Sequence, residues 1–227
     1  MKIINAKESP STEGDFFCMI LSLPDFSAYH EIGRVPSEGF MNLSLCMIVR
    51  NEEETIGRCL AGVAEACDEI IIVDTGSTDK TKEIAGKYTD KIYDFAWNDD
   101  FSAARNFSFS KATGDFILWL DADDVLTFEE LEKFIDFKKT LSEKDDVVLM
   151  RYECAFDEDG NAVFFFYRER IFRRAKGFLW KGRVHEAVEY SGNVRYSDIA
   201  IKHFSAKTEY GDRNLKIYEK QKASGEA

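Results

Sequence analysis

Four short apolar segments, each followed by a segment that suits a helix, constrain the fold of this chain more than any other feature. The apolar segments span residues 43–49, 69–74, 91–95 and 115–120. Runs of this length without alternating polar residues are typical of strands that are buried on both faces. Strand–helix alternation with short loops therefore predicts an α/β fold with a doubly wound, mostly parallel sheet.

The intervening segments carry signals for helices and their ends. Apolar residues at helical spacing predict a helix over residues 55–66. Ser77 or Thr78 is expected to cap a second helix that runs to about residue 87, and Ser102 a third that ends near residue 111. A charged segment predicts a fourth helix over residues 128–141.

The pattern changes after residue 145. Two long strands are predicted over residues 147–156 and 162–172, and the Asp/Asn/Gly-rich segment between them favours a β-hairpin. Shorter strands are expected around residues 184–188 and 199–203, and a polar helix over 207–222.

These patterns divide the chain into three parts. Residues 1–41 hold all three prolines and show no sustained periodicity, so we expect an extension with at most a short strand over residues 16–23. Residues 42–206 form the main domain, and residues 207–227 a C-terminal helix.

Charge and cysteine content argue against several classes of protein. The net charge is -12 and the isoelectric point is near 4.8, whereas a nucleic-acid-binding protein needs a basic face. An anionic substrate must therefore meet local positive charge or a metal ion. Five cysteines without a CxxC pair indicate free thiols in a reducing compartment. No signal peptide or apolar segment long enough to span a bilayer is recognised, so a cytoplasmic protein is expected.

A cluster of carboxylates follows the fourth predicted strand, where Asp121, Asp123 and Asp124 lie within four positions. Charges crowded at the end of a buried strand are costly unless they are paired or bind a metal ion. Asp121 and Asp123 share a face in a strand, and open α/β sheets bind ligands at the carboxyl ends of their strands. The sequence therefore predicts a divalent cation here that bridges to phosphate. Asp124 could equally cap the next helix.

Several motifs in register resemble the family 2 glycosyltransferases of the GT-A fold. They are the first strand up to Asn51-Glu52, residues 72–79 around Asp74, Ala104-Arg105-Asn106, and the stretch from Gly114-Asp115 to Asp121-Ala122-Asp123. A second set, residues 180–186 and 201–203, is similar to a bacterial subgroup. That subgroup includes S-glycosyltransferases of bacteriocin-like peptides, and its members often continue into helical repeats. The resemblance implies a Rossmann-like GT-A sheet with a hairpin-rich C-terminal half for the acceptor.

The resemblance also implies a metal site. Asp121 and Asp123 would be the DxD motif that holds Mn²⁺ or Mg²⁺ against the diphosphate of a nucleotide sugar, and hard oxygen ligands suit these cations. A late histidine completes the metal shell in many GT-A enzymes, and here His203 is the candidate because a neutral imidazole suits Mn²⁺ beside carboxylates.

The donor contacts come from the same resemblance. Asp74 would accept a hydrogen bond from the base, such as the imide N–H of uracil. Many members carry two adjacent acids there, whereas this chain has Asp74-Thr75. Asn51 and Glu52 would line the nucleotide pocket, and Arg105 and Asn106 would contact the anionic nucleotide.

Glu186 is the candidate general base, because an inverting transfer needs a group that takes the proton of the acceptor as it attacks the anomeric carbon. It falls where the family places its late acidic motif, although His185-Glu186 replaces the Glu-Asp pair of better-known members. Asp123 would contribute to catalysis through the metal ion.

The sequence thus predicts an inverting, metal-dependent glycosyltransferase of the hexosyltransferase type, with a UDP-sugar as donor. The acceptor is open among peptide, protein, glycan and lipid. One alternative is a phosphohydrolase of the haloacid dehalogenase class, because residues 118–123 imitate its apolar strand followed by DxD. The other is a non-catalytic module that binds a nucleotide sugar.

Overall fold

The structure, a computed structural model, describes residues 40–204 and 212–225. The strands are β1 (Leu43–Val49), β2 (Glu69–Asp74), β3 (Ile92–Asp94), β4 (Phe116–Trp119), β5 (Asp124–Val125), β6 (Val147–Phe156), β7 (Ala162–Arg173), β8 (Trp180–Lys181), β9 (Ala187–Val188) and β10 (Val194–His203). The α-helices are α1 (Ile56–Ala61), α2 (Thr81–Ala85), α3 (Phe101–Lys111), α4 (Phe128–Lys138) and α5 (Arg213–Ser224).

Eight of these strands form one sheet, in the order β3-β2-β1-β4-β7-β6-β10-β5. The first four make the parallel half that the sequence predicts: β1 pairs in parallel with β2 and β4, and β2 with β3. All residues of β2 and β4 are buried, and so are those of β1 except the half-buried Ile48. Burial on both faces is the reason that these strands are continuous apolar runs.

Helices cover both faces of this half, so the predicted doubly wound α/β fold is confirmed. Leu43, Leu45 and Met47 of β1 belong to a core that includes residues of α1, α2 and α4. Cys46 lies in a second core with Phe109 of α3. Successive residues of a strand point to opposite faces, so β1 contributes to both cores in alternation.

The other half of the sheet is largely antiparallel. β4 pairs with β7, and β7 with β6, in antiparallel fashion; β10 then runs parallel to β6 and antiparallel to β5. The predicted hairpin of β6 and β7 is confirmed. Its turn is closed by the Asp157 N–H, which donates to the Asn161 carbonyl at 2.9 Å, and Gly160 adopts a φ of 79° there. A positive φ of this size favours glycine.

The first two helices differ from the prediction. The segment 55–66 divides into α1 and a separate 3-10 turn, Ala64–Ala66. α2 begins only at Thr81, so neither Ser77 nor Thr78 caps it. Both residues instead hydrogen-bond to Asn51 across the edge of the sheet. A long-range contact, which local capping signals do not reveal, decides this boundary.

The caps of α3 and α4 also correct the prediction. Asp100, not Ser102, caps α3 and accepts from the Ala103 N–H at 2.9 Å. Thr127 caps α4, so the alternative that Asp124 caps this helix is wrong. α4 ends at Lys138, and the strand expected around 199–203 begins earlier, at Val194.

The C-terminal helix packs on this domain. Ile217 of α5 is buried, and the Arg213 guanidinium lies 4.7 Å from the centre of the Phe101 ring. The predicted start of this helix at residue 207 lies outside the described residues, as do the predicted strand over 16–23 and almost all of the predicted N-terminal extension. Among the helices of the described ranges, none has the length and apolar character that crossing a membrane requires.

Candidate active site

The carboxyl ends of β1, β2 and β4 form one edge of the sheet, and the predicted site residues cluster along it. Val49 at the end of β1 is level with Asp74 at the end of β2, and β1 lies between β2 and β4. Asn51 and Glu52 follow β1, and Asp121 and Asp123 follow β4. Parallel strands end at the same edge, so residues distant in the sequence meet there.

Asp74 is a buried carboxylate with one oxygen available. Its Oδ1 accepts hydrogen bonds from the N–H groups of Gly76 and Ser77, at 2.9 and 2.8 Å. Its Oδ2 is buried and has no hydrogen-bond partner within the described part of the chain. An unpaired buried oxygen is costly, so it marks a place where a ligand donor would be stabilising.

Asn51 and Glu52 connect the loops after β1 and β2. Asn51 has a φ of 51°; its N–H donates to Ser77 Oγ at 2.9 Å, and its Oδ1 accepts from the Thr78 N–H at 2.8 Å. The Glu52 N–H donates to Thr81 Oγ1 at 2.7 Å. Both residues lie at the predicted edge, and their contacts fix the shape of the loop that carries Asp74.

Arg105 joins two of the predicted acidic residues. Its Nη2 donates to Asp121 Oδ1 at 2.8 Å, and its Nε donates to Glu186 Oε1 at 2.7 Å. The guanidinium is buried between the rings of Trp119 and Trp180, with its carbon 4.6 and 4.9 Å from the ring centres. Arg105 therefore brings the loop after β4 and the segment after β8 together at one site.

These contacts set the charge of the group. Burial alone would raise the pKa of Asp121, but the positive charges of Arg105 and Arg170 hold it at about 2. Burial opposes the charge of Arg105 as well, and its two carboxylate partners outweigh this and raise its pKa. Asp121 and Arg105 are thus a permanently charged pair, and Arg105 has two anions to neutralise before any substrate binds.

The side-chain amide of Asn106 forms two hydrogen bonds with the backbone of Trp180. Its Nδ2 donates to the Trp180 carbonyl at 3.0 Å, and its Oδ1 accepts from the Trp180 N–H at 2.9 Å. This reciprocal pair attaches β8 to α3. The geometry thus favours a structural role for Asn106, and the predicted nucleotide contact stays a prediction.

Asp124 is a fully buried carboxylate at the centre of a hydrogen-bond network. Its Oδ2 forms an ion pair with Arg170 at 2.8 Å and accepts from the Asp121 N–H at 3.0 Å. Its Oδ1 accepts from the Tyr152 hydroxyl at 3.2 Å and lies 3.4 Å from His203 Nδ1. Both charged side chains have zero exposure, so the pair fixes the loop after β4 against β7, β6 and β10.

Asp123 and His203 form the more exposed part of the acidic cluster. Asp123 Oδ1 lies 3.5 Å from His203 Nδ1, and ligand atoms of Asp123, Asp124 and His203 all lie within 4.8 Å of one another. Burial raises the pKa of Asp123, and the neighbouring carboxylates Asp121 and Asp124 raise it further against the opposing effect of His203. Burial would lower the pKa of His203, but the hydrogen bond with Asp124 and the charge of Asp123 raise it.

Asp123 and Asp124 both face one imidazole, and no described Lys or Arg forms an ion pair with Asp123. One or two carboxylates with an imidazole are a donor set that Mn²⁺ accepts, so the residues fit the divalent cation predicted from the sequence. Asp121, the third predicted ligand, is not in this close group, and its Oδ1 is paired with Arg105. Its ligation of a metal stays a prediction.

The sequence did not predict two residues of the site, Arg170 and Tyr152. Both lie in the strands of the hairpin, and both contact Asp124. The available signal was an arginine directly before the apolar pair Ile171-Phe172 in a predicted strand. A charged residue in a buried strand needs a counter-charge, but the sequence does not say which acidic residue supplies it.

Comparisons with known proteins agree with this architecture. A TPR repeat-containing protein of Synechococcus elongatus is 40% identical over 152 residues, which are 66% of this chain and 36% of that protein. The SPbeta prophage-derived glycosyltransferase SunS of Bacillus subtilis is 29% identical over 205 residues, which are 88% of this chain and 43% of SunS. The chain therefore spans less than half the length of either relative.

A solved structure shows the same fold. The crystal structure of S. aureus TarS 1-349 in complex with UDP-GlcNAc has a TM-score of 0.55 and 18% identity, over 78% of this chain and 64% of that chain. Residues 44–195 match the family described as Glycosyl transferase family 2, and this match favours the glycosyltransferase prediction over the phosphohydrolase alternative. With its mixed GT-A-like sheet and the acidic edge within the matched range, the chain belongs to glycosyl transferase family 2.

Proposed function

We propose that this chain transfers a sugar from a UDP-sugar to an acceptor, with inversion at the anomeric carbon and with help from Mn²⁺ or Mg²⁺. One observation carries the proposal: Arg105 bridges Asp121 and Glu186, which are far apart in the sequence. The acidic loop after β4 and the late acidic residue therefore border one site, at the sheet edge that also carries Asp74.

Asp74 would bind the nucleobase of the sugar donor. Its buried Oδ2 accepts no hydrogen bond from the described residues, and the imide N–H of uracil would donate one. The loop is already shaped for this contact, because Gly76 and Ser77 hold the other carboxylate oxygen and Asn51 holds Ser77 and Thr78. A fixed acceptor of this kind favours a base with an N–H at the matching position, since a mismatch leaves the oxygen unpaired.

Asp123 and His203 would hold the metal ion, with Asp121 or Asp124 as a further carboxylate. When bound, a divalent cation supplies positive charge that stabilises the departing diphosphate. Asp124 and Tyr152 help to position His203: Asp124 Oδ1 is 3.4 Å from Nδ1, and the Tyr152 ring centre is 5.7 Å from that of His203.

Glu186 would act as the general base. Its Oε1 is held by Arg105, and its Oε2 has no partner among the residues that the structure describes. Oε2 would take the proton of the acceptor's attacking group as the new bond to the anomeric carbon forms. The bond from that carbon to the diphosphate breaks on the opposite face, and the diphosphate leaves with the electron pair.

Arg105 would act as a positioning residue for both carboxylates. Without it, Asp121 and Glu186 would repel each other in a buried setting, which disfavours their charged forms. The ring of His185 lies 6.1 Å from that of Tyr218 on α5. The acceptor is left open among peptide, protein, glycan and lipid.

Binding of UDP tests the donor and the metal together. A ligand that binds only the folded state raises its stability by RT ln(1 + [L]/Kd), so thermal unfolding is a direct readout. We expect UDP with Mn²⁺ to raise Tm, UDP without metal to raise it less, and Asp123→Asn to abolish the metal-dependent part. Asp159→Asn, in the exposed hairpin turn, is the matched control and should behave as the unchanged protein.

Turnover separates an enzyme from a binding module. We expect release of UDP from a UDP-sugar in the presence of Mn²⁺, with a large loss in Glu186→Gln while UDP binding persists. No stabilisation by any UDP ligand with Mn²⁺ would refute the assigned donor. Binding without transfer or hydrolysis, equal in the unchanged protein and in Glu186→Gln, would instead support the non-catalytic alternative.

A further inference from the structure

Arg168 is a half-buried arginine of β7 that borders the candidate active site. Its guanidinium carbon lies 4.6 Å from the centre of the Trp119 ring and 5.6 Å from that of Tyr152. Among residues 40–204 and 212–225, no acidic side chain forms an ion pair with it. It is thus a cation that is partly removed from water and packs on aromatic rings, without an ion pair to any described carboxylate.

The aromatic contacts of Arg168, at the end of β4 and on β6, place it beside the acidic loop. β4 and β7 pair through Ile117–Phe172 and Leu118–Ile171 in antiparallel fashion. Trp119, on whose ring Arg168 packs, is the last residue of β4, and Arg105, the partner of Asp121, packs on the same ring at 4.6 Å. Arg168 is close enough for its charge to act on the Asp121 carboxylate.

Two of the other arginines around this loop are already paired with carboxylates, and Arg58 has a neutral partner. Arg105 neutralises Asp121 and Glu186, and Arg170 is paired with Asp124. Arg58 donates from Nη2 to the Phe204 carbonyl at 3.2 Å. Arg105, the cation that the motif pattern singled out for the nucleotide, is therefore already bound to two carboxylates, whereas Arg168 forms no ion pair with a described residue.

The position of Arg168 suits a phosphate. When the face of a guanidinium packs on aromatic rings, its N–H groups at the edge can still donate hydrogen bonds. Two oxygens of a phosphate can accept a pair of these bonds at once. The chain has a net charge of -12, so its overall field repels an anionic substrate and a local cation must offset this.

We propose that Arg168 binds the diphosphate of the nucleotide-sugar donor and is the main protein cation for it. This inference rests on the proposed function, because it takes a nucleoside diphosphate as the ligand of this edge. The proposed diphosphate contact comes from β7 of the hairpin, and not from the motifs that follow the parallel strands.

Calorimetric titration of the full chain with UDP and with uridine, both in Mn²⁺, tests the assignment. Uridine has the same base and ribose but no phosphate, so it isolates the contribution of the diphosphate. We expect Arg168→Gln to raise the Kd for UDP by about tenfold or more, the effect of losing a charged hydrogen-bond pair, and to leave the Kd for uridine within about twofold. Arg168→Lys should give a smaller loss, because it keeps the charge but not the fork.

Arg195→Gln is the matched control. Arg195 is also half-buried and packs on an aromatic ring, at 4.3 Å from the Phe137 centre, but it lies near the opposite end of β10 from His203. It should leave both Kd values unchanged, and circular dichroism should show that each variant is folded.

Two results would overturn the inference. One is an unchanged Kd for UDP in Arg168→Gln, which would assign the guanidinium to an anion of the acceptor or to structure alone. The other is equal weakening of UDP and uridine, which would show a general disturbance of the pocket. Both differ from failure of the proposed function, in which the unchanged protein binds neither UDP nor uridine.

Discussion

Replacement of Asp124 by asparagine should be among the most destabilising conservative changes in this chain. Asp124 and Arg170 are both completely buried, and their ion pair of 2.8 Å lies beneath the acidic loop. Asparagine keeps the shape of the side chain but removes the charge. The buried guanidinium would then lose its ion-pair partner, and its Nε and Nη2 already lack hydrogen-bond partners among the described residues.

The size of the effect follows from the donors around Asp124. Arg170, the Asp121 N–H and the Tyr152 hydroxyl all donate to its oxygens, so the NH₂ group of an asparagine must face one of them. Removing one partner of a buried ion pair costs about 3–5 kcal/mol, because the other charge is left buried and unpaired. This is a large part of the 5–15 kcal/mol or so by which domains are typically stable.

Urea unfolding, followed by tryptophan fluorescence, measures this loss. Arg170 lies 4.1 Å from the centre of the Trp119 ring, so the fluorescence reports on the network itself. We expect Asp124→Asn to lower the urea midpoint by about 1 M or more. Asp94→Asn is the matched control, because Asp94 makes an exposed ion pair with Lys82 and such pairs contribute little.

A double variant completes the experiment. Adding Arg170→Met to Asp124→Asn removes the unpaired charge, so the double variant should be more stable than Asp124→Asn alone. A midpoint for Asp124→Asn that equals that of Asp94→Asn would refute the reasoning. So would a double variant that is less stable than the single one, since the unpaired guanidinium would then not be the cause.

Three further changes test other parts of the structure. Burial opposes ionisation of Glu69, but hydrogen bonds led by that of Lys91 at 2.6 Å hold its pKa at about 2. A carboxylate whose pKa is depressed in the folded state stabilises the protein at pH values above its unfolded-state pKa, and this stabilisation is lost as the pH falls through its folded-state pKa. Between pH 5 and pH 2 the free energy of unfolding, measured in urea, should therefore fall by about 3 kcal/mol more in the unchanged protein than in Glu69→Gln. Asp74→Asn should weaken UDP binding in calorimetry by about tenfold, because its buried Oδ2 is the assigned acceptor, while a matching gain for cytidine diphosphate would support base recognition. Gly62→Ala should lower Tm, because an added Cβ would lie 2.7 Å from the Leu126 carbonyl oxygen; an unchanged Tm would contradict the close approach.

The strand-forming segments could be located from the sequence because their signal is local. The four apolar runs correspond to β1, β2, β3 and β4, and the Asp/Asn/Gly segment to the turn between β6 and β7. The hydrophobic effect requires such runs to be buried, whatever their neighbours are. Short-range rules were less successful for helix ends, because Ser77 and Thr78 are held by Asn51 across the sheet edge.

The sequence by itself determined the fold class, the family, and the edge of the sheet at which acidic residues collect. Only the tertiary structure decided which charges are already neutralised there. Arg105 is shared by Asp121 and Glu186, Asp124 is paired with Arg170, and Asp123 is left with His203. Ion pairs are short-range contacts between residues far apart in the chain, so their partners depend on strand order and register, which no local pattern of residues specifies.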